Sequence, residues 1–347
     1  MKRLVRYSFL LVAMGLIATA CGSLPAATPP PATQVPELAH VSLRLQWFPQ
    51  YQFAGYIVAK EKGFYQEQGL DVTIQPGGPG TVSLPLVASG SDTFGSTGAG
   101  TIFLAREQGV KVVSLATIFQ TSPVGFMVHK DSGIVSPQDF LGRTVGVFYG
   151  DNVETEYRAL LAATHVDRTH IIEVPGEFNL TSFLARRVDV WPVYITDQPN
   201  LARKEGADIN LIMARDYGVM LLGDVLFTTE TFAQQNPHTV QAFVNGTLRG
   251  WDYALNHLEE TVKIIGTYNK DLDLDQLHFE GTQTIPLIQY GAGTPCPGWN
   301  STASWTGQLK LMRDLTLLKQ DIDVAQVVDN RFVAAYYIQQ GINCATR

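Results

Sequence analysis

The residues richest in chemistry are aromatic and amide side chains gathered at a few short stretches. Trp47-Phe48-Pro49-Gln50-Tyr51 is one, Phe119-Gln120-Thr121-Ser122-Pro123 another, and Tyr149-Gly150-Asp151-Asn152 a third; Thr196-Asp197-Gln198-Pro199 follows Tyr194. Aromatic faces stack flat heterocycles, while Asn, Gln and Asp hydrogen-bond their edges. A single aromatic residue in such a place is more often core than ligand contact. Repetition of the same chemistry along the chain points to a site for a flat, hydrogen-bonding ligand. The candidate ligand-binding residues are Trp47, Tyr51, Phe119, Gln120, Tyr149, Asp151, Asn152, Tyr194, Asp197 and Gln198.

Such residues need elements to position them, and the chain past His40 reads as alternating strands and helices. Strands are expected at Val41–Gln46, Leu70–Gln75, Asp92–Ser96, Lys111–Thr117, Val124–His129, Thr144–Phe148 and Val188–Tyr194. Helices are expected at Phe53–Gln68, Val82–Ser89, Ile102–Gln108 and Val153–Thr164, with one further surface helix over Arg249–Ile265. This order implies parallel α/β sheets with helices on both faces. Ligands of such sheets bind beyond the carboxyl ends of the strands, where the aromatic and amide groups fall. Gly95–Gly100 reads as a tight strand-to-helix turn touching the ligand rather than as a phosphate cradle.

The N-terminus has its own logic. Lys2, Arg3 and Arg6 precede an apolar stretch, Tyr7 to Thr19, too short to span a bilayer as a stable helix. Ala18-Thr19-Ala20-Cys21 resembles a bacterial lipobox, so residues 1–20 are expected to be a signal peptide and Cys21 the lipidation site. Diacylglycerol on the thiol and acylation of the new N-terminus, palmitate-like chains, would hold the chain at the extracytoplasmic face of the cell membrane. Residues 21–39 form a Pro/Ala/Thr-rich tether that cannot bury enough surface to fold. About 300 residues remain, enough for two lobes with a cleft between them.

Charge and cysteine content narrow the partners. The net charge of −7 becomes −10 once Lys2, Arg3 and Arg6 are removed, and no basic block exceeds Arg186-Arg187, so nucleic acid is not an expected partner. Beyond Cys21 only Cys296 and Cys344 remain; in an oxidising compartment this even pair suggests a disulfide tying the C-terminal tail to the loop around Pro295–Gly298. The seven histidines show no metal-binding spacing, and no nucleophile elbow or Walker loop is present. No enzyme, cofactor or metal is expected. Three Asn-x-Thr matches, at Asn179, Asn245 and Asn300, carry no meaning in a bacterial lipoprotein.

A family resemblance runs through these residues. Leu45-Gln46-Trp47-Phe48-Pro49, Ala54-Gly55-Tyr56, Gly63-Phe64-Tyr65 and Gly69-Leu70-Asp71-Val72 resemble the opening of the thiamine-pyrimidine-precursor group of solute-binding proteins. The likeness continues through Ile118–Pro123, Tyr194–Pro199, Asp216–Val219, Phe227–Glu230 and Leu248–Trp251, and weakens after about Leu272. It implies an α/β, type II periplasmic-binding-protein fold, monomeric, whose two lobes close on a ligand that an ABC permease then collects. The usual chain path of that fold puts lobe one at 40–127, lobe two at 128–225, and a return to lobe one with C-terminal helices at 226–347.

The resemblance also frames the ligand. Pyrimidine-binding relatives commonly read Tyr-x-x-Asn-Glu-Pro where this chain reads Tyr194-Ile-Thr-Asp197-Gln198-Pro199. A Gln amide offers both donor and acceptor, which suits the imide edge of an isoalloxazine ring, and some relatives serve riboflavin uptake. Trp47, Tyr51, Tyr149 and Tyr194 would stack the ring, and Asp151 or Asn152 would meet ribityl hydroxyls. Riboflavin is therefore expected ahead of a thiamine pyrimidine precursor, formylaminopyrimidine or hydroxymethylpyrimidine. The family's pyrimidine synthases are a disfavoured alternative, since their cysteine-rich iron motif is missing and a lipid anchor does not suit a cytosolic synthase. A sulfonate or nitrate binder would call for arginine and hydroxyls rather than stacking aromatics.

Overall fold

The structure, a computed structural model, describes residues 38–346 except Pro79 and Phe178. Cys21, the signal peptide and nearly all of the tether lie outside the described residues.

The first sheet contains β1 (Ala39–Arg44), β2 (Leu70–Gln75), β3 (Phe94–Gly98), β4 (Val112–Thr117) and a late strand, Asp224–Thr229. The second contains β5 (Val124–His129), β6 (Thr144–Val147), β7 (Ile172–Pro175), β8 (Val190–Tyr194) and β9 (Ile209–Met213); the late strand is β10. The orders are β2-β1-β3-β10-β4 and β7-β6-β8-β5-β9. β1 and β2 run parallel in register from Ala39↔Leu70 to Arg44↔Gln75. The alternation Leu-Asp-Val-Thr-Ile-Gln buries Leu70, Val72 and Ile74 and turns the polar residues outward. β4 and β5 are buried along their full length, as their near-continuous apolar sequences require.

Several expectations change. The sheets are mixed, not parallel. β10 lies antiparallel between β3 and β4, and β5 lies antiparallel between β8 and β9. These are the strands entered directly from the other lobe, so no helical crossover sets their direction. The expected helix over Phe53–Gln68 is interrupted at Lys62 and Gly63, giving Ala54–Glu61 and Phe64–Glu67. The expected surface helix over Arg249–Ile265 is two helices, Pro237–Asn256 and Leu258–Tyr268, meeting at non-helical His257. Leu248, Trp251 and Ala254 of the first are buried in the core of lobe one, so that helix is structural on one face.

The chain passes between sheets twice, from β4 to β5 and from β9 to β10. Because β5 belongs wholly to the second sheet, the first passage falls at 118–123, a few residues before the expected division at Met127/Val128. The two passages pair with each other: Phe119 N donates to Asp224 O, Gly223 N to Phe119 O and Ser122 N to Leu221 O, at 2.9–3.1 Å. A Cβ on Gly223 would lie 2.7 Å from the Cβ of Phe119, so only glycine allows this approach. Ser122 also donates to buried Glu156 of the helix Asn152–Ala163, tying the hinge to lobe two. Cys296 and Cys344 are joined by a disulfide with Cα atoms 6.0 Å apart.

Candidate functional site: the cleft between the lobes

Loops beyond the carboxyl ends of β1, β6 and β8 converge on a cleft with two connected chambers. The inner chamber is walled by Trp47, Phe148 and Tyr194, with Gln46, Asn152 and Gln198 among its polar groups. The outer chamber adds Thr81, Ser83, Thr97 and Tyr149. Gln46, Trp47, Phe148 and Asp151 line both. The cavity volumes are about 60 Å³ for the inner chamber and about 190 Å³ for the outer.

Trp47, from lobe one, and Phe148, from lobe two, meet edge to face with centroids 5.9 Å apart. Phe148 is backed by Trp191 in the same geometry at 6.1 Å. The aromatic wall therefore rests on the core of lobe two. Asn152 stands where the helix Asn152–Ala163 comes up against the end of β3. A Cβ on Gly98 would lie 2.3 Å from the Asn152 Cβ. Of the expected glycine turn, residues up to Gly98 are the buried end of β3 and Ala99 opens the next helix, Ala99–Glu107, directly. Thr97 lines the outer chamber, while Gly98 serves the close approach of the lobes.

Tyr194 is the polar hub. Its hydroxyl accepts from Gln46 Nε2 at 3.1 Å and Asn152 Nδ2 at 2.6 Å, and donates to Asp224 Oδ1 at 2.8 Å. Asp224 Oδ2 accepts from Gln52 Nε2 at 2.6 Å, and Gln50 Nε2 donates to Gln52. Burial pushes the Asp224 carboxyl up to about 6, and the Gln52 and Tyr194 hydrogen bonds pull it back down. With three bonds the Tyr194 oxygen is saturated. Gln46 is not: its Oε1 is buried and has no protein hydrogen-bond partner. A buried acceptor left unpaired in a cleft is where a ligand N–H gains most.

Of the residues expected from sequence, Trp47, Asp151, Asn152, Tyr194 and Gln198 line the inner chamber, and Tyr149 the outer one. Gln198 is less available than expected. Its Oε1 accepts from Tyr194 N at 2.9 Å and its Nε2 donates to Asp197 Oδ2 at 2.6 Å, so half of the amide's capacity secures the start of its own helix. The structure corrects Tyr51, Phe119, Gln120 and Asp197, which do not line the cleft. Tyr51 is buried in lobe one and donates to Ala254 O. Phe119 is fully buried in the hinge, and Gln120 donates to Thr117 O and Trp299 O there. Asp197 is buried against Gln276. Gln46, Gln50, Gln52 and Phe148 also line the inner chamber and are not among the candidate ligand-binding residues expected from sequence. Gln46 and Phe148 are the last residues of the expected strands Val41–Gln46 and Thr144–Phe148, but β1 ends at Arg44 and β6 at Val147, which frees both side chains for the cleft.

Two α/β lobes of mixed sheet, joined by paired crossing segments and opening on a shared cleft, make this a periplasmic-binding-protein fold. The alkanesulfonate-binding protein SsuA from Xanthomonas axonopodis pv. citri superposes with a TM-score of 0.64 at 15% identity, over 85% of this chain and 99% of that one. The family model described as NMT1/THI5 like matches residues 50–261, and the chain belongs to that family. Among similar sequences, the riboflavin-binding protein RibY of Chloroflexus aurantiacus is 28% identical over 92% of this chain and 95% of its own length. The formylaminopyrimidine-binding protein of Halalkalibacterium halodurans is 25% identical over 77% of this chain and 84% of its own. Among the described residues no helix is long and apolar enough to cross a membrane, and no group of three or more His, Cys, Asp or Glu side chains is set to hold a metal ion.

Proposed function

We propose that this chain is the lipid-anchored, extracytoplasmic solute-binding component of an ABC importer. Its ligand is a flat N-heterocyclic vitamin, riboflavin in the first place, which it hands to a membrane permease. The observation that carries this reading is the unpaired, buried Gln46 Oε1 between the aromatic walls of Trp47, Phe148 and Tyr194. The imide N–H of an isoalloxazine would satisfy that acceptor, and Asn152 and Gln198 stand in the same chamber. The hydroxyls of Thr81, Ser83 and Thr97 in the outer chamber suit a ribityl chain. Trp47 and Phe148 come from different lobes and touch, so ring entry requires the lobes to part and then close on both faces of the ring. The likeness to the riboflavin-binding protein along nearly the whole chain supports the same ligand.

The second reading, an aminopyrimidine of the thiamine pathway, is favoured by the Asp151 carboxylate in the wall, which could accept from an exocyclic amino group. Titration of the soluble chain from about Pro30, refolded to free it of carried-over ligand, separates the two. Saturable quenching of riboflavin fluorescence, with no heat from formylaminopyrimidine, is expected. Pyrimidine heat without flavin quenching would replace riboflavin by the second reading, and binding of neither would overturn the heterocyclic ligand class.

A further inference from the structure

The cleft offers its ligand no cation. Among the described residues lining either chamber there is no Lys, Arg or His, and the one acidic side chain is Asp151, which lines both. Burial pushes its carboxyl up to about 7, so it carries its charge fully only above that pH. Asp151 is also the N-cap of the helix Asn152–Ala163; its Oδ1 accepts from Val153 N at 2.8 Å and Glu154 N at 3.1 Å. The amino end of a helix presents unpaired N–H groups and the positive pole of the helix dipole, the usual seat for a phosphate. Here the protein's own side chain fills that seat.

The charged groups further out do not reverse this. Glu154 accepts from Gly150 N, and Glu173 accepts from Tyr149 OH. The nearby cation, Arg168, is committed to both carboxylates, at 2.5 and 2.9 Å to Glu173 and 3.2 Å to Glu154. At the other edge, Arg44 is held by Asp92 and Pro76 O.

We propose that Asp151 is an anion filter: the cleft accepts the unphosphorylated form of its ligand and rejects the phosphate ester. This deepens the proposed function, on which its ligand class rests. For a flavin, riboflavin enters and flavin mononucleotide does not; for a pyrimidine, the free alcohol enters and its phosphate does not. A phosphate monoester carries about −1.5 to −2 charges at pH 7. Seated here it would lose water, find the helix end taken, and meet no counter-charge.

The test measures four equilibrium affinities, riboflavin, flavin mononucleotide, hydroxymethylpyrimidine and its phosphate, on the wild type, Asp151→Asn and Asp151→Ser. Both substitutions keep a good helix cap while removing the carboxylate, and the affinities are read at about pH 8.5, where the raised Asp151 carboxyl is ionised. The wild type is expected to bind flavin mononucleotide about 100-fold more weakly than riboflavin, a ratio worth about 2.7 kcal/mol. In the variants that ratio shrinks about tenfold or more. A cap-only role would weaken both flavins alike and leave the ratio fixed, which overturns the filter. So would wild-type binding of the two flavins within about threefold, a result that leaves the importer reading intact. If neither flavin binds, the riboflavin reading falls and the pyrimidine pair decides the filter by the same ratio. Binding of neither pair overturns both.

Discussion

Tyr194 and Gln276 each join the two lobes, but under different loads of charge. At the cleft, Tyr194 of lobe two reaches lobe one through Gln46 and Asp224. One carboxylate is buried there, and it takes one bond from Tyr194 and one from Gln52. At the second contact the helix Leu274–Ile288 of lobe one presents Gln276 to Asp197 and Asn200 of lobe two. Gln276 Nε2 has two hydrogens and serves Asp197 O, Asp197 Oδ1 and Glu280 Oε1, at 3.4, 3.1 and 3.2 Å. Two carboxylates thus share one amide, almost without solvent. Burial raises the Asp197 carboxyl well above its ordinary range, and burial plus the Asp197 charge raises that of Glu280. The first contact is a neutral hub with a paired acid. The second is an acid pair that holds best with a proton.

The largest break is Tyr194→Phe. It takes a donor from Asp224 and strands the Gln46 and Asn152 amides, so it should cost about 3 kcal/mol of stability and weaken ligand binding as well. Urea unfolding of the ligand-free chain measures the first effect; a loss under about 0.5 kcal/mol would show that water replaces the hub at no cost.

The acid pair predicts a pH effect of opposite character. Both carboxyls have folded-state values raised above their unfolded ones, near 4, so the folded chain holds more protons above that pH. Stability is therefore favoured below about pH 4 to 5 and declines as pH rises toward the raised folded values. Between pH 5 and 8 the wild type should lose about 1 kcal/mol or more to these groups, and Glu280→Gln should flatten part of that decline. Parallel slopes for variant and wild type would mean that Glu280 stays ionised throughout. Asp224 adds a smaller decline of the same sign, between about pH 4 and its raised value of about 6.

The neutral hub was more legible in the sequence than the acid pair. Strict alternation gave β2 and an unbroken apolar run gave β5 at their observed ends. Trp47, Asn152 and Tyr194 could be found because polar and aromatic residues directly after strands belong to a cleft in α/β folds. The same composition misled at Phe119 and Gln120, since a hinge also needs packed rings and amides to satisfy its backbone. β7, short, partly exposed and ending in Pro175, gives little pattern. The place of β10 between β3 and β4 is a tertiary pairing that no local periodicity encodes. Glu280 stands in no motif; only the fold brings it, across some eighty residues, to the neighbourhood of Asp197.

The smallest effect is expected one turn outside the acid pair. Lys204 Nζ meets both Asp273 oxygens at 3.0 Å across the lobes, with the two side chains 38% and 62% exposed. Asp273 also caps the helix Leu274–Ile288, accepting from Gln276 N at 2.6 Å, and that backbone bond, with Lys204 second, holds its carboxyl below the usual range. Solvent screens an exposed pair of this kind, so Lys204→Ala should cost about 0.5 kcal/mol or less, and less again in high salt. Asp273→Ala removes cap and ion pair together and should cost about 1 kcal/mol more than Lys204→Ala. The difference between the two isolates the cap. If Lys204→Ala instead matched Asp273→Ala and altered ligand affinity, the charge at the rim, rather than the buried amide Gln276, would be what holds the lobes at this contact.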